Sequence, residues 1–120
     1  MVSSDELANF IASSFRSVWA LELLLLLKRE ARPCSTEELV TSLRASSSVV
    51  EKALESLGAA GLAGREGANF AYMPVTPAVA ALVEETEQLY RSSPHRVRRL
   101  IVASSISGLT AFSDAFRLKD

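Results

Sequence analysis

Apolar residues recur at helical spacing along most of the chain, and this pattern predicts a succession of helices. Ser3 and Ser4 precede Asp5-Glu6, an acidic first turn typical of a helix amino terminus, where the first helix is expected to begin. A break at Ser13-Ser14 separates it from a helix over residues 15–29. Leu23–Leu27 is apolar on more than one stripe of this second helix. We therefore expect it to be central and buried on most sides, with Trp19 in the core.

A proline and a serine place the start of the next helix. Pro33 closes the central helix, because a residue that precedes proline is pushed out of the helical region. Ser35 stands three residues before Glu38, so the hydroxyl and the carboxylate can each accept the other's free backbone amide. This spacing predicts a short helix over residues 36–44.

Ser48 and Glu51 repeat the same spacing and predict a further helix that ends at Gly61. One of its faces is apolar, through Val50, Ala53 or Leu54, and Leu57. The exposed positions would then be polar: Ser47, Ser48, Glu51, Lys52, Glu55 and Ser56.

The pattern changes between residues 62 and 74, where glycines alternate with a short extended run. It predicts a small β-hairpin with residues 66–69 at its tip. Thr76-Pro77 then starts a helix that runs to about Arg91, since proline is well tolerated at the first helical position. Another helix is expected over residues 95–107, interrupted by Gly108. A last apolar stripe has i, i+3, i+7 spacing, at Leu109, Phe112 and Phe116.

Length and composition narrow the classes of function. A chain of 120 residues has room for a single domain. Its formal charge is 13 − 14 = −1, so no overall cationic field would hold it on nucleic acid. The charge is unevenly placed, at 7 − 12 = −5 over residues 1–90 and 6 − 2 = +4 over residues 91–120. Any binding to polyanions must therefore be local.

No enzyme class is favoured. One cysteine, Cys34, and one histidine, His95, exclude a disulfide framework and a multi-thiolate or histidine-rich metal site. The chain has no paired histidine and nucleophile and no phosphate-cradling glycine loop. We expect no catalytic residues, no metal and no cofactor. The first residues lack the pattern of a secretory signal and no membrane span is visible, so we expect a cytoplasmic protein.

The order of elements resembles the winged helix-turn-helix of small bacterial regulators of the MarR and ArsR type. Residues 35–39 and 49–62 carry the resemblance, which covers residues 15–75. The most specific part is Leu57-Gly58-Ala59-Ala60-Gly61-Leu62, where a glycine closes the helix before the hairpin. The expected fold is mainly α with a small β-hairpin wing. Residues 1–14 form an amino-terminal helical extension, and residues 76–120 form carboxyl-terminal helices.

The resemblance implies a sequence-specific, double-stranded DNA-binding transcriptional regulator that acts as a homodimer. The helix ending at Gly61 would enter the major groove, with the wing beside the backbone. The implied DNA contacts are Arg44, Ser46, Ser47, Ser48 and Lys52 at this helix and its preceding turn, and Arg65 and Asn69 in the wing. Arg44, Lys52 and Arg65 would supply six phosphate contacts per dimer, within the roughly 6–10 that give strong salt dependence.

An alternative interpretation is a winged-helix module that binds another protein without binding DNA. Glu51 and Glu55 on the reading face favour it, since carboxylates repel phosphates. The basic cluster of Arg91, His95, Arg96, Arg98 and Arg99 is compatible with a DNA backbone, with Glu84, Glu85 and Glu87 of the same chain, or with an acidic partner.

Two further features stay open at the level of sequence. Cys34 is either a passive loop residue or a redox-sensing thiol at a helix start. The stripe of Leu109, Phe112 and Phe116 is expected to be a dimer or partner interface. Its alternative is to fold back on Phe10 and Phe15 of the same chain.

Overall fold

The computed structural model describes residues 3–103, over which the fold is mainly helical. Six helices and one two-stranded antiparallel sheet make up this range. In chain order the elements are α1 (Ser4–Ser14), α2 (Val18–Glu30), α3 (Thr36–Leu43), α4 (Ser47–Ala59), β1 (Ala63–Glu66), β2 (Asn69–Tyr72), α5 (Pro77–Ser92) and α6 (94–103). The prediction of a mainly α fold with a small β-hairpin is confirmed.

Two serine caps divide the amino-terminal helical stretch. Ser3 caps α1, which ends at Ser14, the predicted break. α2 begins directly behind Ser17, whose side chain accepts a hydrogen bond from a first-turn amide. This start is three residues later than predicted, because Phe15 has an extended backbone and links the two helices. Its ring is buried and meets the ring of Phe10 edge to face, with 6.0 Å between centroids.

Helix α2 forms the centre of the core and packs against α3, α4 and β2. Leu21 and Leu23–Leu27 are buried, so the helix is covered on most sides, as predicted. The prediction that Trp19 lies in the core is wrong, since this residue is 43% exposed. The reason is local: the first turn of α2 borders an open groove against the last turn of α3, where Leu43 lies.

The capping box at the start of α3 forms as predicted. The Ser35 hydroxyl accepts from the Glu38 amide at 3.1 Å, and the Glu38 carboxylate accepts from the Ser35 amide at 3.1 Å. Arg32 donates to the second carboxylate oxygen of Glu38 at 2.8 Å. The Arg32 hydrogen bond, with the Ser35 amide, lowers the pKa of Glu38 to about 2. This exposed carboxylate therefore stays charged at pH values well below those at which a glutamate is ordinarily protonated.

A Schellman motif ends α4 and turns the chain into β1. The Leu62 amide donates to the Leu57 carbonyl at 3.0 Å, and the Gly61 amide donates to the Gly58 carbonyl at 3.1 Å. Gly61 has φ +75, a conformation that favours glycine. Leu57 and Leu62 are both fully buried, which adds the apolar contact that accompanies this motif. The sequence Leu57–Leu62 thus does what its pattern predicts.

The hairpin pairs Ala63 with Tyr72 and Glu66 with Asn69, which leaves Gly67 and Ala68 as a two-residue tip. Gly67 has φ +63, as the first position of a tight hairpin with glycine there requires. The predicted tip at residues 66–69 is confirmed.

The carboxyl-terminal helices are tied to α2 by polar contacts. α5 begins behind Thr76 with proline in its first turn, as predicted. Lys28 of α2 forms ion pairs with Glu84 at 2.9 Å and Glu87 at 2.8 Å. These two carboxylates raise the pKa of Lys28. Val97 and Ile101 of α6 are buried in the same hydrophobic cluster as α2, so α6 belongs to the common core.

No single helix within residues 3–103 is long and apolar enough to cross a membrane. α1 and α2 reach the required length and hydropathy only when taken together, and they meet at a bend of 103°.

Candidate nucleic-acid interface

The start of α4 lies two residues earlier than its predicted capping box. Ser46 is the N-cap, and its side chain accepts from the Val49 amide at 3.2 Å. Ser48 is instead an exposed residue inside the helix, so the predicted pairing of Ser48 with Glu51 is wrong. Ser46 caps the helix in place of Ser48 because Ser46 directly follows the end of the α3–α4 turn. As an N-cap, Ser46 holds the helix start, which leaves Ser47 and Ser48 exposed in the first turn.

The two faces of α4 divide as the spacing predicts. Its apolar face is buried through Val50, Ala53, Leu54 and Leu57. Its outer face exposes Ser47, Ser48, Glu51, Lys52 and Glu55. Ser56 is half-buried and donates to the Ala53 carbonyl at 3.1 Å, so its hydroxyl is used within the helix. The exposed face therefore offers two hydroxyls, one cation and two carboxylates.

Arg44 links α3 to α4 in a left-handed conformation, with φ +55. The bond from the Ala45 amide to the Val40 carbonyl, at 3.3 Å, closes the turn around it. Non-glycine residues rarely adopt this conformation, and here it forms the left-handed cap that ends α3. The Arg44 side chain is exposed immediately before the first turn of α4.

The hairpin presents one of its two predicted contact residues outward. Arg65 is exposed, and its guanidinium carbon lies 5.1 Å from the centroid of the Phe70 ring, directly across the ladder. Asn69 is half-buried and pairs with Glu66 beside the tip. Arg65 thus has a defined position, whereas Asn69 is part of the ladder.

A cleft of about 550 Å³ separates α4 from the hairpin. Glu51 and Glu55 line it from the helix, and Arg65 lines it from β1. Leu54 and Phe70 contribute apolar surface to the same cleft. The two carboxylates and the cation that sequence reasoning assigned to one reading surface are therefore close neighbours.

The opposite flank of α4 brings in a residue that sequence reasoning missed. Arg16, from the link between α1 and α2, lines a groove together with Lys52, Glu55 and Ser56. It precedes the cap of α2 and is 36 residues from Lys52 in sequence (52 − 16), so no local pattern could associate the two.

Six cations of the described chain show a contrast in their ion pairing. Lys28, Arg32 and Arg91 form ion pairs with glutamates, at 2.8 to 3.2 Å. Within residues 3–103, Arg44, Lys52 and Arg65 make no ion pair and are exposed. The three cations expected to contact phosphates are thus available for an external anion.

The basic cluster at the end of α5 is only partly satisfied within the chain. Arg91 binds Glu87 at 3.2 Å, while Lys28 binds both Glu84 and Glu87. Arg98 lies over the Tyr90 ring, with its guanidinium carbon 5.7 Å from the centroid. The cluster's other members, His95, Arg96 and Arg99, are exposed and have no ion pair in the described part of the chain.

Tyr90 also links the cluster to α2, because its hydroxyl donates to the Glu22 carboxylate. Burial, followed by this hydrogen bond, raises the pKa of Tyr90, and nearby Arg98 opposes the shift. A polar chain of three side chains therefore connects α2, α5 and α6.

Cys34 is a buried residue, which decides between its two sequence interpretations in favour of a structural role. It is 2% exposed, and its backbone forms an isolated bridge with Phe70. Burial raises the pKa of the Cys34 thiol, the direction opposite to that of a reactive thiolate.

Among residues 3–103, no group of three or more His, Cys, Asp or Glu side chains is placed to hold a metal ion. Leu109, Phe112 and Phe116, the expected dimer or partner contacts, lie outside the described residues. Comparisons of the chain with models of protein families, with curated proteins and with solved structures find no match.

Proposed function

We propose that this protein is a transcriptional regulator that binds double-stranded DNA as a homodimer in the cytoplasm. The observation that carries the proposal is the state of the cations. Arg44, Lys52 and Arg65 are exposed and free of ion pairs within residues 3–103, whereas Lys28, Arg32 and Arg91 are held by carboxylates. These three cations belong to the turn, helix and hairpin that a winged helix-turn-helix presents to DNA. Arg29, Arg96 and Arg99 are also exposed and without an ion pair in the described residues, but they lie on α2 and α6.

The first turn of α4 supports the same proposal. Ser47 and Ser48 are exposed beside amides at a helix amino terminus, where hydroxyls and backbone N–H groups bind phosphate oxygens or base edges. Ser46, as the cap, positions this turn without itself being a principal contact. Wing contacts would come chiefly from Arg65, with Asn69 supporting the ladder.

Carboxylates on the same surface set the mode of binding. Glu51, Glu55 and Glu66 are exposed beside the three cations and Arg16, so the local charge is only 4 − 3 = +1. A nearly neutral surface has little attraction for arbitrary DNA, because nonspecific affinity comes mainly from phosphate neutralisation. We therefore expect weak nonspecific binding and a dependence on a particular sequence, with two copies doubling the phosphate contacts.

The direct test is retention of sheared genomic DNA by the purified protein at low and at moderate salt, followed by sequencing. Enrichment of a few sites that share an inverted repeat supports the proposal, and the repeat supplies an oligonucleotide for affinity measurements. Absence of enrichment at both salt concentrations contradicts it.

A charge reversal tests the reading helix on that oligonucleotide. Lys52→Glu should weaken binding by at least about tenfold, because it replaces a phosphate contact with a repulsive charge. Arg29→Glu is the matched control: Arg29 is also exposed but lies at the end of α2. Equal affinities of wild type and Lys52→Glu would remove α4 from the DNA interface.

A second candidate function is binding of an acidic protein through α6, without DNA. His95, Arg96 and Arg99 are exposed and have no ion pair within residues 3–103, which favours it together with the nearly neutral α4 surface. This function predicts that the wild-type protein captures a synthetic acidic peptide and that the double variant Arg96→Ser with Arg99→Ser does not. It also predicts that the wild-type protein enriches no DNA.

A further inference from the structure

The groove beside Trp19 is the largest departure of this fold from what its sequence predicts. Trp19 and Val18 of α2 face Leu43 at the end of α3 across a groove of about 400 Å³. Trp19 is 43% exposed, although almost every other residue of α2 from Ala20 to Leu27 is buried. A large aromatic side chain left exposed in a groove beside apolar Val18 and Leu43 indicates a binding surface.

Side-chain contacts connect this groove to α6, the last helix of the described chain. Glu22, which lines it, accepts a hydrogen bond from Tyr90, and Tyr90 lies under Arg98 of α6. One turn beyond Arg98, Val102 is 49% exposed. The described chain ends at residue 103, on the helix that these contacts join to the wall of the groove.

The remaining sequence has suitable apolar side chains and sufficient length. Leu109, Phe112 and Phe116 fall in the 17 residues from 104 to 120 (120 − 103). Phe112 is nine residues beyond position 103 (112 − 103), an extended reach of about 30 Å. This length is enough to reach a groove on the same chain or on a neighbouring copy.

We propose that Phe112 and Phe116 of one copy occupy the Trp19 groove of a second copy, and that this reciprocal exchange holds the dimer together. The proposal rests on the homodimer of the proposed function. A stable dimer buries roughly 800 Å² per partner. Among residues 3–103 the exposed large apolar side chains are few and separate: Trp19, Met73, Val75 and Val102.

The exchange supplies the area that these residues lack. Each phenylalanine buries about 150–250 Å² when covered, and a twofold dimer makes the contact twice. The same contact made within one chain would add nothing to an interface between copies.

The position of the groove also couples the dimer to the reading helix. Ser42 and Leu43 line the groove, and Arg44 follows them directly in its left-handed turn. Occupation of the groove would therefore restrain the turn that orients α4.

Trp19 is the only tryptophan of the chain, so its fluorescence reports the groove directly. The experiment uses the full chain without DNA, over a range of concentrations, with molar mass measured by sedimentation and Trp19 exposure measured by acrylamide quenching. We expect dimer formation and Trp19 protection to rise together with concentration. In Phe112→Ser with Phe116→Ser, Trp19 should stay accessible and the dimer dissociation constant should rise at least about tenfold.

Val75→Ser is the matched control, because Val75 is 68% exposed but does not line the groove. Trp19→Ser should weaken the dimer as the double phenylalanine variant does, with unchanged circular dichroism. A dimer whose Trp19 remains accessible overturns the proposed exchange. It does not contradict the proposed binding of DNA by a homodimer. A protected Trp19 in a monomer, which indicates docking within one chain, also overturns it, as does a monomer with accessible Trp19 throughout.

Discussion

Cys34 and Phe70 exchange two backbone hydrogen bonds across 36 residues of sequence (70 − 34): the Cys34 amide donates to the Phe70 carbonyl at 2.7 Å, and the Phe70 amide donates to the Cys34 carbonyl at 2.8 Å. This bridge fastens the entrance of α3 to the second strand of the hairpin. The ring of Phe70 in turn lies under Arg65. A helix start and a wing cation are thereby held in one unit.

The burial of Cys34 predicts an unreactive thiol. Because the thiol is buried and its pKa is raised, a disulfide reagent such as Ellman's reagent should modify the native protein slowly. The rate should rise sharply in guanidinium chloride. Ser48→Cys in a Cys34→Ala background is the control, since position 48 is exposed and should react at once. Rapid labelling of native wild type would contradict the structural role of Cys34.

Arg44 allows stability and DNA affinity to be separated. Arg44→Gly removes a side chain from a left-handed position, so the free energy of unfolding should stay constant or rise by up to about 1 kcal/mol. The same change removes a cation and should lower DNA affinity.

Ala31→Gly is its control, because Ala31 has the same conformation, φ +56, at the end of α2 and carries no charge. It should raise stability without altering DNA affinity. Denaturant unfolding and binding to the same oligonucleotide check both expectations. Loss of stability in Arg44→Gly would show that Arg44 contributes contacts to the fold.

Glu38 predicts a specific pH dependence of stability. Its pKa is lowered to about 2 in the folded protein from an ordinary value of 4.5. A lowered pKa gives a contribution that is present above about pH 4.5 and is lost as the pH falls towards 2.

Glu38→Gln should therefore have a lower melting temperature than wild type at pH 7, and the difference should shrink across this acidic range. Glu37→Gln serves as the control, since Glu37 is exposed in the same turn and has no ion pair in the described residues. A difference for Glu38→Gln that is constant from pH 7 to pH 2 would exclude the carboxylate as its origin.

Alanine substitutions at Gly61 and Gly67 distinguish the cost of backbone strain from the cost of a steric contact. Both have positive φ, so alanine at either position should cost about 1–2 kcal/mol of stability from strain. A Cβ at Gly61 would also lie 3.0 Å from Val75 Cγ1, whereas a Cβ at Gly67 meets nothing within 4 Å.

Gly61→Ala should therefore be the more destabilising change, by about 1 kcal/mol. Adding Val75→Ala to Gly61→Ala should recover part of that excess, as measured by urea unfolding. Equal costs for Gly61→Ala and Gly67→Ala would show that Val75 moves aside freely.

Local sequence signals were sufficient wherever neighbouring residues settle the structure. The capping box of Ser35 and Glu38, the proline start of α5 and the hairpin tip all depend on residues within four positions of each other. Local signals misplace the cap of α4, because three consecutive serines offer equivalent hydroxyls. The end of the preceding turn selects Ser46 among them.

The order of helices, the apolar face of α4 and the hairpin follow from the amino-acid pattern alone, because helical periodicity, caps and glycine positions act over a few residues. The packing of the elements places Trp19 beside a groove, brings Arg16 next to Lys52 and pairs Cys34 with Phe70. Packing also determines which cations are engaged by carboxylates and which are available. These relationships join residues that are distant in sequence, so they depend on how the elements pack.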